Sequence, residues 1–450
     1  MKLHLTSAIA ACFCALSLVA SAKTSEPDQP VRLRVDLDRT ALPANSKEHA
    51  IVKIAFDGVR LPRREHRTPV NLVLVLDRSG SMSGEKIEQA RAAAFEAVRR
   101  LSPDDVFSLV VFDNNVDTLI PACRVGDGRE LEERIGSIRP GGGTAIYAGV
   151  NQGASELRKH LEDRRYIHRM VLLSDGLANV GPSHPSDFSR LGTALIKEGI
   201  SVSTIGLGLG YNEDLMTRLA QKSDGNTYFV ESSYDLTRIF NSELGDVLSV
   251  VARRIVITIE FPAGVRPIGF VGREGMVRGQ RAELSINQIY GGQEKFALVE
   301  VEVDPASVGT EREIARATLS YEDTLTQKSS TLRANAQVRF TANERDVIAS
   351  ANRQVQTDYA INATAMAKDA AVALVDSGRR DDAAQVLRER TAELKKMGEV
   401  YANTAVQGVV TKNEKEADRL RSEGLDNVAR KSYRAENMQT INQQSSYSSP

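Results

Sequence analysis

Short unbroken apolar blocks fill the middle of this 450-residue chain, and regular alternation of apolar and polar residues fills its flanks. The block Leu72 to Leu76 predicts a central strand covered on both faces, and Val106 to Phe112, Met170 to Ser174 and Ser201 to Gly206 predict further strands. Shorter strands are expected at Thr118 to Pro121 and Thr227 to Val230. Between the blocks, Ile87, Ala90, Ala94, Val98 and Leu101 recur at helical spacing, so a helix there buries one stripe against a sheet. Further helices are predicted near Glu130 to Ile138, Ala145 to Leu161, Ser186 to Lys197, Glu213 to Gln221 and Tyr234 to Val250. Strands and helices that alternate in this way specify an α/β unit, a doubly wound, mostly parallel, Rossmann-like sheet over residues 69–250.

The flanks read differently. Val31 to Leu37 and Ala50 to Phe56 alternate before this unit, and Arg254 to Phe261, Ala282 to Ile289, Phe296 to Val303, Ile314 to Tyr321 and Ser329 to Phe340 alternate after it. These are half-buried strands. Two short strands do not make a stable sheet alone, so residues 30–62 and 252–340 are read as one discontinuous β-sandwich with the α/β unit inserted in it. A separate C-terminal sandwich is the alternative. From Ala342 the period turns helical: Ile348 to Leu374 and then Ala383 to Met397, interrupted by Gly378, predict a helical hairpin within a helical region, residues 341–436. A third, more polar helix is expected from about Val400 to Val428, and residues 437–450 read as a disordered tail.

Residues 1–22 combine Lys2, an apolar stretch from Ala8 to Ala20 and the small residues Ala20-Ser21-Ala22, which reads as a secretory signal peptide cleaved near Ala22. Cleavage leaves Cys123 alone of three cysteines, so no intramolecular disulfide is expected; a periplasmic or secreted protein of bacterial type fits this pattern. The 58 basic and 59 acidic residues nearly balance, giving no reason to invoke nucleic acid, and no membrane span is expected in the mature chain.

The chemistry concentrates where apolar strands end. Asp77, Ser79 and Ser81 follow the first block in the run Asp77-Arg-Ser-Gly-Ser81; Thr144 follows Gly141-Gly142-Gly143; Asp175 ends the block that starts at Met170. Taken singly, helix capping accounts for the serines and for Thr144, and a turn accounts for Asp175. Together they are five oxygen donors without His or Cys, at strand ends where open α/β sheets gather their ligands, and such a set suits a hard cation such as magnesium. Gly206, Gly208 and Gly210 do not complete a dinucleotide fingerprint, because position 211 is Tyr211; they read as a flexible connection beside the metal pocket. The glycines before Thr144 read as allowing its close approach to the ion.

This constellation resembles the metal-ion-dependent adhesion site of the von Willebrand factor type A family, which includes the integrin inserted domains, and the resemblance runs from about Pro69 to Val250. It implies that Asp77, Ser79, Ser81, Thr144 and Asp175 hold a magnesium ion (or calcium or manganese), some directly and some through water. It implies also that the ion's remaining position captures an Asp or Glu carboxylate on a partner protein, and that the last helix, Tyr234 to Val250, can relay occupancy to the strand beginning near Arg254.

An exported adhesion or scaffolding module is therefore the expected function, with no catalytic residues. A metal-dependent hydrolase is the first alternative, disfavoured because the six His residues are scattered, no His-Glu-x-x-His motif occurs and magnesium acidifies water only weakly. An assembly component that uses the metal domain as a sensor is the second.

Overall fold

The computed structural model describes residues 29–60 and 67–444, so the predicted signal peptide lies outside the described residues. The described residues begin with three strands, β1 (Val31–Leu37), β2 (Ala41–Pro43) and β3 (Glu48–Gly58). The α/β domain follows as β4 (Val70–Asp77), α1 (Glu85–Arg100), β5 (Val106–Phe112), β6 (Val116–Arg124), α2 (Arg129–Gly136), α3 (Ile146–Arg158), β7 (Ile167–Ser174), α4 (Pro185–Lys197), β8 (Ile200–Leu207), α5 (Glu213–Lys222), β9 (Thr227–Val230) and α6 (Leu236–Val247). Its sheet has the order β6-β5-β4-β7-β8-β9. Every pairing in it is parallel except β5 with β6.

Both faces of this sheet are covered, which is why its central strands carry apolar blocks rather than alternation. Leu72, Leu74 and Leu76 of β4 pack with α1, α2 and α6 on one side. Val73 and Val75, pointing the other way, pack with α3, α4 and α5. The chain leaves β4 toward β5 on one side and returns through β7 on the other, so the winding reverses at β4 and opens a crevice at its carboxyl end.

The remaining strands are β10 (Val250–Glu260), β11 (Val265–Val271), β12 (Met276–Arg278), β13 (Arg281–Tyr290), β14 (Glu294–Val303), β15 (Glu311–Asp323) and β16 (Ser329–Thr341). They join the N-terminal strands in two sheets, β1-β3-β14-β11 and β12-β13-β10-β15-β16-β2. Val52, Ile54 and Phe56 from the first face Ile255, Ile257, Ile259 and Leu319 from the second, across one apolar core. Three of these strands have no counterpart in the alternation read from sequence. β2 and β12 are three residues each, and β11 contains Pro267 beside a register shift, which erases any period of two.

The C-terminal region departs from the hairpin expected at the sequence level. After the short α7 (Glu344–Ala349) come four helices, α8 (Arg353–Asp376), α9 (Arg380–Val400), α10 (Thr404–Ser422) and α11 (Asn427–Ile441). The polar stretch expected as one helix from about Val400 to Val428 is cut by local backbone chemistry. Ala402 and Gly424 adopt positive φ, and the side chains of Asn403 and Asp426 cap the following helices by accepting from Val406 N and Ala429 N. Residues 437–441, expected as tail, belong to α11, while Gln443 and Gln444 are held by Arg273, Gln293 and Thr227; residues 445–450 lie outside the described residues. α8, α9 and α10 cover the outer face of the four-stranded sheet through Val355, Tyr359, Leu394 and Val406 against Ile51, Ala55 and Leu298. α11 turns back onto α5 and β9 of the α/β domain. Among the described residues, no helix is long and apolar enough to cross a membrane.

Candidate functional site

Three loops meet at the carboxyl end of β4. The chain leaves the strand at Asp77, whose Oδ1 accepts from Ser79 N at 2.7 Å, and makes a single tight turn over Gly80–Met82. Gly84, at φ 78°, then redirects it into α1. The Gly141–Gly143 loop is stitched to this turn by two backbone bonds, Gly141 N to Arg78 O and Gly80 N to Gly142 O. Glycine is required at 141 by close approach: a Cβ there would lie 2.1 Å from Oδ2 of Asp113. Asp113 is in turn held by Arg78, whose Nε donates to it at 3.0 Å.

The expected donors converge on this crevice. Ser79 Oγ lies 3.1 Å from Ser81 Oγ, and Ser81 Oγ donates to Asp175 Oδ1 at 2.6 Å. Thr144 Oγ1 and Asp77 Oδ2 both border Gly176, lying 2.9 and 3.6 Å from where a Cβ of that residue would sit. Asp77, Ser79, Thr144 and Asp175 are buried, whereas Ser81 is exposed and marks the open side.

Helix capping does not account for the hydroxyls. The residue capping α1 is Gly84 and that capping α3 is Ala145, neither with a side-chain cap bond, and Ser79 caps nothing with its side chain. They face the crevice instead, beside two carboxylates.

Two carboxylates against one ammonium leave the crevice negative. Burial pushes the Asp77 carboxyl up to about 6, against the pull of hydrogen bonds from Ser174 and Ser79 and with a further push from Asp175. Asp175 has recruited the Lys86 ammonium to Oδ2. The donor set fits a hard divalent cation: every donor is oxygen and two are carboxylates. Among the described residues, this crevice included, no three His, Cys, Asp or Glu side chains cluster as metal ligands; here two carboxylates stand with three hydroxyls.

Several residues that shape the site escaped sequence reasoning. Ser174 donates to Asp77 Oδ2 at 2.5 Å, Asn179 accepts from Thr144 N at 2.7 Å, and Asn114 accepts from Gly143 N at 2.8 Å. Only Ser174 carried a signal, its place beside Asp175; Lys86, Asn114 and Asn179 become neighbours of the site by folding. The glycines after β8 differ from the flexible connection expected. Gly206 lies in the strand with the Tyr211 ring against it, and Gly210 presses on the Asp175 carbonyl, where a Cβ would lie 2.7 Å from the oxygen. That connection is held from behind by Lys431 of α11, which donates to Tyr211 O at 2.6 Å and pairs with Glu213. The three histidines of the domain stand apart: His184 caps α4, His160 packs on Tyr166, and His168 is buried at the opposite edge of the sheet.

Residues 71–242 match the von Willebrand factor type A domain, and the α/β unit carries that domain's fold. An uncharacterised protein of Synechocystis sp. is 29% identical over 269 residues, 58% of this chain; the match spans 63% of that relative's own length. Among solved structures, a von Willebrand factor type A protein from Catenulispora acidiphila aligns with a TM-score of 0.63 at 16% identity, covering 81% of this chain and 88% of that one. The ArnB paralog VWA2 from Sulfolobus acidocaldarius aligns with a TM-score of 0.58 at 18% identity, covering 92% and 98%. At these identities the two structures speak to fold alone. A protein-interaction module of von Willebrand factor A type is what the domain match supports.

Proposed function

We propose that the chain is a divalent-metal-dependent protein-binding module that captures an Asp or Glu side chain of a partner protein through an ion held by Asp77, Ser79, Ser81, Thr144 and Asp175. The observation that carries this reading is the convergence of two carboxylates and three uncapped hydroxyls from three loops at the point where the winding of the sheet reverses. Magnesium, calcium or manganese suits the all-oxygen set. The bound ion would supply electrophilic charge at the open edge, two carboxylates leaving a dication formally neutralised but short of donors. This chain's residues do the rest: Asp77 and Asp175 attract the ion, the hydroxyls fix its place, and the exposed side at Ser81 admits the partner's carboxylate.

Isothermal titration with Mg2+ and Mn2+ tests the site directly. The wild-type protein is expected to bind one ion per chain, and Asp77→Ala to bind none while keeping its far-ultraviolet circular dichroism. An unchanged isotherm in Asp77→Ala would falsify the assignment. Export is a further part of the proposal, resting on the Lys2, Ala8 to Ala20 and Ala20-Ser21-Ala22 pattern; the mature protein is expected to begin at Lys23, as intact mass spectrometry of the secreted or periplasmic material would report.

A further inference from the structure

The rim of the metal crevice is polar on one side and apolar on the other. Toward β5 lie Asn114, Gly141 to Gly143 and the Arg78–Asp113 pair. Toward β8 and β9 lie Leu177, Leu209 and Tyr234, with relative exposures of 59%, 47% and 69%. Among the described residues, these are the large apolar side chains exposed on the α/β domain, and each follows the carboxyl end of one of three adjacent strands, β7, β8 and β9. Scattered exposed apolar residues are ordinary, but here the exposure is gathered on one edge of one domain.

Their position relative to the crevice is fixed by contacts already described and by two more. Leu177 stands two residues beyond Asp175. Leu209 adjoins Gly210, which presses on the Asp175 carbonyl, and Gly208, which lies beside the Lys86 ammonium. Ser233, the residue before Tyr234, donates through its hydroxyl to Glu85 at the start of α1, next to Lys86. With strands about 4.8 Å apart, the three side chains mark out a ridge on the order of 10 Å long that starts at the metal site and runs across β8 to β9.

We infer that this ridge seats apolar side chains on one flank of the partner's acidic residue, so that the module recognises a protein segment with an Asp or Glu followed on one side by leucine-like or aromatic residues and on the other by polar ones. The inference rests on the metal-dependent reading above. The metal-dependent reading commits it to an acidic rather than a purely apolar partner, and Leu177, two residues beyond Asp175, makes the ridge continuous with the crevice that such a residue would enter. The apolar contacts add what a single carboxylate–metal bond lacks, which is discrimination among the acidic residues every protein surface carries.

A display library of peptides with a fixed Asp between randomised triplets, selected on the full chain with Mn2+ and eluted with EDTA, tests this. Eluted peptides are expected to be enriched in Leu, Ile, Phe or Tyr on one flank. Against the Leu177→Ser/Leu209→Ser/Tyr234→Ser variant, the enriched peptide is expected to lose about ten-fold or more in affinity while calorimetric Mn2+ affinity and melting temperature stay unchanged. Peptides without flank preference, an enriched peptide that binds the variant equally well, or no EDTA-released peptide despite Mn2+ binding would each overturn the ridge. Absence of Mn2+ binding in the wild-type protein would instead overturn the site reading on which it rests.

Discussion

At the carboxyl edge of the α/β sheet, Asp77 and Asp175 sit beside an opening to solvent with the Lys86 ammonium drawn onto Asp175. At the amino edge, fully buried Arg169 donates to Ser203, Gln288 and Tyr290, and Glu243 accepts from Ser203, Asn226 and Tyr228. The second arrangement pairs opposite charges and closes over them with strands of the sandwich; Arg253 and Glu322 extend it. The first sets two buried carboxylates against a single ammonium beside an opening to solvent. A buried cluster of paired opposite charges reads as structure, whereas two carboxylates against one ammonium beside an opening read as a candidate site.

The contrast can be broken most strongly at the amino edge. Arg169→Met leaves Glu243 buried without its guanidinium partner and is expected to lower unfolding free energy by about 3–5 kcal/mol, read from urea titration. Metal affinity, which belongs to the other edge, is expected to survive in whatever fraction remains folded.

Acid separates the edges next. Burial, then Arg253 and Arg254, push the His168 imidazole down to about 4. The unfolded chain therefore binds a proton that the folded chain refuses, so this stabilisation is complete above about pH 6.5 and is lost as pH falls toward 4, by up to about 3 kcal/mol. His168→Gln is expected to flatten that dependence in melting scans. Asp77 works with the opposite sign: its carboxyl is raised in the fold, so the metal-free protein carries a penalty above about pH 6 that fades as pH falls through that value. Asp77→Asn is accordingly expected to stabilise the metal-free protein by about 1–2 kcal/mol at pH 7.5 while abolishing metal binding, a pairing of effects that an ordinary buried carboxylate would not give.

Lys86→Met gives the smallest effect expected. Removing an ammonium from the side of a dication site relieves repulsion, and Mg2+ affinity by calorimetry is expected to rise about five- to ten-fold, on the order of 1 kcal/mol. A fall in affinity would mean that Lys86 serves chiefly to orient Asp175.

Much of the site was legible because it is local. Asp77-Arg-Ser-Gly-Ser81 closes a buried strand in sequence as in space, and Asp175 ends another; parallel strands necessarily bring those ends to one edge. The apolar ridge was not legible, since Leu177, Leu209 and Tyr234 are each an unremarkable loop residue until β7, β8 and β9 lie side by side. The amino-edge network was equally hidden: Arg169 sits in a strand that reads as apolar, and its partners stand up to 121 residues away. At the C terminus, the break at Gly424 and Asp426 was present in the residues, yet a low-hydrophobicity stretch has too weak a period to show where one helix ends.

The residue pattern alone determined the kinds of layer this chain builds, two-sided strands in the middle and one-sided strands around them, because burial on one face or two dictates which positions must be apolar. It also named the oxygen-bearing side chains that meet at the crevice, because their chemistry is carried by residue type. Tertiary structure decided what surrounds them: which hydroxyls escape capping, that an ammonium lies on Asp175, that α11 props the loop behind it, and that three exposed apolar side chains line one side of the opening. Those properties depend on distances between segments far apart in the chain, and spacing along a sequence holds no record of them.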